Sequence, residues 1–186
     1  MRKYLKGVPK EITKKMVQSR LKKDYIRPSF MDVIAMQALV MSMRPACLFY
    51  SVGAVIFRNN QVLSFGYNGP SQGDVHCTKV GCARIIKGEL KKGGGLCRGS
   101  HAELNSIGNA ARNGVSIEGA SMIITIRPCN VCAKQIVNQG IRKVYFISGY
   151  DNDEDVGKYF RRLGVKLIHY ESKFLNNWMK KFEGGE

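Results

Sequence analysis

The chain reads as a three-layer α/β/α domain built on a mixed five-stranded sheet. Three observations predict this. Apolar runs of strand length recur five times along the sequence. The first two are joined by the two-residue turn Asn59-Asn60, which makes an antiparallel pair. The later ones alternate with stretches of helical periodicity, and a helix between strands implies a parallel crossover. With 186 residues, 44% of them hydrophobic, the chain can bury one sizeable core, and no internal repeat or second domain is visible.

Taken in order, Ser29 can cap a helix running to about residue 44, with Phe30, Val33, Ile34, Leu39 and Val40 broadly amphipathic. Residues 52–57 form a continuous apolar run, expected as a buried strand, and residues 61–67 return as its hairpin partner. Residues 68–100 are glycine-rich and cysteine-bearing, with Gly93-Gly94-Gly95 as a flexible point. So long a loop needs something to tie it down. The tract after His101, ending in Asn113-Gly114, has helical spacing. Residues 121–126 are a third strand leading straight into Pro128-Cys129. The tract after Cys129 is again helical and ends at Gly140, suited to a C-cap, while Pro128 sits at its entry, where a missing N–H costs little. A strand at 142–147, a helix at 154–163, a strand at 165–169 and a closing helix at 172–182 complete the order α-β-β-α-β-α-β-α-β-α.

Charge is uneven. The net charge is +16, and residues 1–28 carry ten Lys/Arg against Glu11 and Asp24, which is half the excess. Residues 1–27 are therefore set apart as a basic extension, with the folded domain over 28–186. Such an arm either touches nucleic acid or another polyanion, or is a solvated, partly helical extension. No run of 18 apolar residues exists and the N-terminal segment lacks an apolar signal core, so neither a membrane span nor secretion is expected. Six cysteines in that setting point to metal and reduced thiols, and to the cytoplasm.

The chemistry concentrates in His101-Ala102-Glu103 and Pro128-Cys129-Asn130-Val131-Cys132. His101, Cys129 and Cys132 offer one imidazole and two thiolates, a set that holds Zn2+ tetrahedrally and leaves a fourth position for water. Zinc lowers the pKa of such a water towards neutrality. Glu103, two residues beyond the histidine, can stay off the metal and carry protons between water and a substrate nitrogen. This spacing is a known signature of zinc nucleobase deaminases. A lone Cys-x-x-Cys could equally be redox-active or structural. Here both half-motifs stand at helix N-termini, whose dipoles favour thiolate, and the histidine brings a carboxylate with it.

Four cysteines remain: Cys47 before the first strand, and Cys77, Cys82 and Cys97 in the long loop. Four thiolates can close a structural zinc site, and such a site would organise a loop too poor in apolar residues to fold alone. His76 could replace one of them. Alternatively some are buried free thiols, since cysteine behaves as a small hydrophobe. The remaining histidine, His169, is expected in the core or at a sheet edge.

With these residues in hand, the chain resembles the deoxycytidylate (dCMP) deaminase family of the cytidine deaminase superfamily, in the subgroup of bacterial competence-operon and archaeal proteins. The resemblance spans residues 28–170. It rests on Val52-Gly-Ala-Val-Ile56, Gly66-Tyr-Asn-Gly69, His76-Cys77, Val80-Gly-Cys82, Cys97, His101-Ala-Glu-Leu-Asn-Ser-Ile107, the tract from Ala110 to Ala120, Pro128-Cys-Asn-Val-Cys-Ala-Lys134 and Asn138-Gln-Gly-Ile141. It implies a cytidine-deaminase-like fold and hydrolysis of dCMP to dUMP, the thymidylate precursor. It also implies a homo-oligomer, often a hexamer, and control by dCTP with Mg2+ and by dTTP. By the same resemblance Asn68 contacts the nucleotide sugar, the backbone at Ala102 binds the pyrimidine, and Arg112 and Tyr150 lie near the nucleotide. Asn68 could otherwise be a turn residue, and Arg112 and Tyr150 could lie on the surface or at a subunit interface.

The chain departs from the family in two places. Leu48-Phe49-Tyr50-Ser51 stands where relatives carry basic residues, and Pro70 comes one position early in the loop after Gly69. Both bear on nucleotide regulation and on the preference for a monophosphate. Two other functions share some of these features. A deaminase of tRNA or single-stranded DNA would use the same zinc set and the basic arm. A non-catalytic zinc-stabilised DNA-binding protein would use the arm but has no need of Glu103.

Overall fold

The computed structural model describes residues 27–91, 96–149 and 154–183. The principal elements follow the expected order: α1 (Phe30–Ser42), β1 (Gly53–Arg58), β2 (Gln61–Tyr67), α2 (Ala102–Arg112), β3 (Ser121–Ile126), α3 (Asn130–Asn138), β4 (Lys143–Ser148), α4 (Glu154–Arg162), β5 (Lys166–His169) and α5 (Lys173–Glu183). The sheet order is β2-β1-β3-β4-β5. β1 runs antiparallel to both β2 and β3, while β3, β4 and β5 are mutually parallel. This is the predicted mixed sheet, with helices on both faces. Asn59 and Asn60 adopt φ of 51° and 60°, the left-handed pair that a two-residue hairpin turn requires.

Alternation along the central strands divides the core in two. Ala54 and Ile56 of β1, Met122 and Ile124 of β3 and Val144 of β4 face the layer of α2, α3 and α4, where Ala110, Ile136, Val156 and Phe160 meet them. Val55, Phe57 and Ile123 face the opposite layer, against Ile34, Ala35 and Ala38 of α1 and Leu175 of α5. β1 and β3 are buried on both faces, which is why they read as unbroken apolar runs rather than alternating ones.

Helix α1 begins with a capping box. The Asp32 backbone N–H donates to Ser29 Oγ (3.0 Å), and the Ser29 backbone N–H donates back to Asp32 Oδ2 (2.8 Å). Asp32 Oδ1 also accepts the hydroxyls of Tyr170 (2.9 Å) and Ser172. Ser172 in turn accepts the Leu175 N–H (2.9 Å) and so caps α5. One buried carboxylate thus joins the N-termini of both helices on this face. Burial pushes Asp32 upward, but the hydrogen bonds from Ser172, Ser29 and Tyr170 outweigh it and hold its pKa below 3.8.

Residues 68–100 are not structureless. Gly69–Pro70 pairs antiparallel with Gly99–Ser100 and ties the neck of the loop directly before His101. Between them lie a helical turn at Cys77–Val80 and a small hairpin joining Ile85–Ile86 to Glu89–Leu90. The glycine triplet at 93–95 and nearly all of the basic extension lie outside the described residues. No helix among the described residues is long and apolar enough to cross a membrane.

Candidate active site

Two glycines set how closely the helices approach the sheet. A Cβ on Gly53 would stand 2.0 Å from the Ala38 carbonyl oxygen of α1. One on Gly66 would stand 2.5 Å from the Ala102 carbonyl oxygen and 2.4 Å from the Ser106 nitrogen of α2. Gly66 therefore lets the first turn of α2 rest on β2. The helix is then pinned there by Asn105 Nδ2 donating to the Tyr67 carbonyl (2.8 Å) and Asn109 Nδ2 donating to the Phe65 carbonyl (2.9 Å). These two asparagines, four apart on one helix face, fix α2 along the edge strand. Sequence reasoning gave them no role.

His101 and Cys129 are the N-cap residues of α2 and α3, and neither side chain is spent on a capping hydrogen bond. Both are thus free to turn towards each other. His101 Nδ1 lies 3.5 Å from Cys129 Sγ and 3.3 Å from Cys132 Sγ, and the three ligand atoms all fall within 4.8 Å of one another. A tetrahedral ion with bonds of about 2.0 Å to nitrogen and about 2.3 Å to sulfur needs ligand atoms about 3.5 Å apart. The donor set and its spacing fit zinc.

The electrostatics point the same way. A hydrogen bond from Cys132, with His101 adding to it, pulls the Cys129 thiol down to about 3 despite burial. Cys132 is pushed up by that bond to Cys129, by burial and by nearby Glu103. The hydrogen bond to Cys129 raises His101 despite burial. Two sulfurs and an imidazole so close together share protons that a divalent cation would replace. Glu103 is 4% exposed, and burial raises its pKa above the usual 4.5 against hydrogen bonds from its own backbone and from Cys132. Burial thus shifts this carboxyl towards its neutral form, beside the His101, Cys129 and Cys132 set, where it is placed to carry a proton.

His101, Ala102, Glu103 and Cys129 open onto a cavity of about 300 Å³. Its walls come from Leu48, Phe49 and Tyr50 ahead of β1, from Asn68 after β2, and from the tied loop. Asn68 holds this wall together. Its Oδ1 accepts the Val52 N–H (2.7 Å) and its Nδ2 donates to the Tyr50 carbonyl (2.9 Å). One amide proton and further acceptor capacity remain for a ligand. Arg84 and Arg127 also line the cavity, and both escaped the sequence reading. A single arginine in a loop, or one before Pro-Cys, carries no periodic signal.

Cys47, Cys77, Cys82 and Cys97 line this same cavity. Among the described residues, only His101, Cys129 and Cys132 bring three ligand atoms together. His76 is exposed as the N-cap of the Cys77–Val80 turn. Arg112 is at the far end of α2, where its Nη1 donates to Gln72 Oε1 (2.8 Å), and it does not line the cavity of the single chain. His169 is exposed at the end of the edge strand β5. Tyr150 lies outside the described residues.

Residues 30–148 match the model of the cytidine and deoxycytidylate deaminase zinc-binding region. Over 175 residues the chain is 34% identical to the deoxycytidylate deaminase of enterobacteria phage T4, covering 76% of this chain and 91% of the phage protein. It is 32% identical over 145 residues to ComE operon protein 2 of Bacillus subtilis (strain 168), covering 78% of this chain and 73% of that protein. Among solved structures, the dCMP deaminase of cyanophage S-TIM5 in complex with dCMP and dUMP superposes with a TM-score of 0.65 at 26% identity. That match spans 78% of this chain and 100% of the phage chain.

Proposed function

Since this chain belongs to the cytidine and deoxycytidylate deaminase family, we propose that it hydrolyses dCMP to dUMP and ammonia, with Glu103 as the proton carrier. The observation that carries this reading is the placement of a buried carboxyl beside the His101, Cys129 and Cys132 set on the floor of a nucleotide-sized cavity. His101, Cys129 and Cys132 would hold Zn2+, which when bound supplies a Lewis acid that lowers the pKa of water.

The remaining work falls to this chain's own side chains. Water adds at C4 of the pyrimidine as Glu103 takes its proton and delivers it to N3. Glu103 then passes a second proton to the departing amino group, so that one water is consumed and one ammonia released. The Ala102 backbone, at the first residue of α2, orients the base, and the free donor and acceptor of Asn68 meet the sugar. Leu48, Phe49 and Tyr50 replace the family's basic residues, so among the described loop residues that line the cavity the cation available to a 5′-phosphate is Arg84. Its Nε donates to the Lys91 carbonyl (3.1 Å), which anchors the side chain in the cavity wall. A walled cavity of about 300 Å³ suits a mononucleotide better than a polynucleotide strand, which needs an open groove.

The same reading extends further. A second, structural zinc on Cys47, Cys77, Cys82 and Cys97 is supported by all four lining the same cavity, and it needs the loop to draw their sulfurs together. A homo-oligomer would give Arg112 and Tyr150 a neighbouring nucleotide to reach. Size-exclusion chromatography with and without dCTP and Mg2+ tests both the assembly and a Mg2+–nucleotide effector. Binding of nucleic acid by residues 1–27 is tested by deleting them and repeating a salt titration. Six unpaired cysteines fit a reducing cytoplasm.

The deciding experiment is an ammonia-release panel on dCMP, dCTP, CMP, deoxycytidine and single-stranded DNA, with Glu103→Ala as the blank. Turnover of dCMP well above the others supports the reading. Turnover confined to the polynucleotide overturns it.

A further inference from the structure

Arg127 stands at the end of β3, two residues before Cys129. Its backbone N–H donates to the Ser148 carbonyl (2.9 Å), and its guanidinium sits over the Phe146 ring, 5.7 Å from the centroid. Its Nε is the one buried side-chain nitrogen or oxygen among the described residues that has no hydrogen-bond partner. Leaving a buried charged donor unmet is costly, and a bound acceptor would remove that cost.

A second guanidinium converges on the same place. A Cβ on Gly157 of α4 would stand 3.1 Å from Arg127 Nη2 and 3.8 Å from Arg161 Nη1. The two arginines therefore approach within about 7 Å of each other, a repulsion that a bridging anion would relieve. The glycine leaves them that space. They share a cleft of about 710 Å³ between α4 and β5, and of its lining residues only Arg127 also lines the catalytic cavity. Lys166 and His169 of β5 also line it, and no carboxylate does among the described residues. At its rim His169 Nε2 lies 2.9 Å from the Ile147 carbonyl, and its Nδ1 lies 3.5 Å from Glu171. Planar guanidiniums match the oxygens of a phosphate two at a time, and the volume exceeds what phosphate alone would fill.

We propose that the cleft between α4 and β5 is a binding site for a phosphate-bearing small molecule, held chiefly by Arg127 and Arg161. Arg127 belongs to the wall of both cavities and leads through Pro128 into Cys129. An anion here would therefore rest against the segment that leads into Cys129. The site stands independently of which base the catalytic cavity accepts.

Calorimetric titration of the full chain with inorganic phosphate and with ribose 5-phosphate, a phosphate ester without a base, tests this. The expected result is saturable binding at the cleft, one site per chain, separate from any occupancy of the catalytic cavity at Arg84. Arg161→Ala and Arg127→Met should each weaken it at least about tenfold, and Arg84→Ala should leave it within about twofold. Arg161 is exposed, so its variant stays informative even if Arg127→Met folds poorly. Tighter binding of ribose 5-phosphate than of phosphate identifies an ester as the better ligand, and equal binding identifies the phosphate group alone. No saturable binding by the wild-type chain, binding untouched by Arg161→Ala, or loss confined to Arg84→Ala would overturn the proposal.

Discussion

Glu103 owes its character to its position. It is the second residue of a helix whose N-cap is His101, and Gly66 lets that turn rest on the sheet, where the carboxyl is buried. Replacing it with glutamine keeps the shape and removes the proton carrier. Deamination by Glu103→Gln should fall by about 10²–10⁴, with zinc content and melting temperature near wild type. Ammonia release and metal analysis on the same preparation check this, and activity within tenfold of wild type contradicts the role. For Arg84→Ala the expectation differs: KM for dCMP rises about tenfold while deoxycytidine turnover is unchanged, since only the nucleotide carries a phosphate. Equal losses on both substrates would remove Arg84 from phosphate recognition. The metal set was legible in the sequence because its chemistry lies in two short motifs. Arg127, Asn105 and Asn109 were not, because what makes each useful is a neighbour distant in the chain, and Arg84 was not because a lone arginine in a loop leaves no pattern.

At the scale of elements, periodicity carried the reading. Continuous apolar runs marked β1 and β3, buried on both faces, and helical spacing marked the crossovers between the parallel strands. The loop at 68–100 was harder, since two-residue ladders such as Gly69–Pro70 with Gly99–Ser100 are too short to leave a pattern. The capping serine of α1 was legible, but the tie from Asp32 to Ser172 and Tyr170 was not, with nearly 140 residues between the partners. That tie yields a pH prediction. Asp32 has its folded pKa lowered below 3.8, so its contribution is present above that value and is lost as pH falls through the lower folded one. Asp32→Ala should cost about 1–3 kcal/mol at pH 7, narrowing in strongly acid solution. Urea denaturation of both proteins at pH 7 and near pH 3 measures the difference, and a gap that stays constant contradicts the account. Gly66→Ala drives a methyl into the α2 backbone, so it should lower both stability and activity, with activity falling further because His101 and Glu103 move with the helix.

For the molecule as a whole, the parallel half of the sheet delivers Cys129 at the end of β3, and the antiparallel hairpin supports the helix that carries His101. The site lies where these two halves meet. The cysteine-bearing loop lines the cavity, so the proposed second zinc would make metal content report on the whole arrangement. Two zinc ions per chain are expected in purified protein. Substituting Cys77 and Cys82 together should remove one and destabilise the loop while leaving the other in place. An active protein with a single zinc would leave the loop tied by its ladder alone.

The central claim is that this cavity turns dCMP into dUMP with Glu103 moving the protons. It is tested most directly by following ammonia and dUMP together from zinc-loaded protein and dCMP, beside Glu103→Gln. Equal amounts of the two products are expected from the wild-type chain and almost none from the variant. Absence of product from dCMP, with release from single-stranded DNA or tRNA under the same conditions, would contradict it.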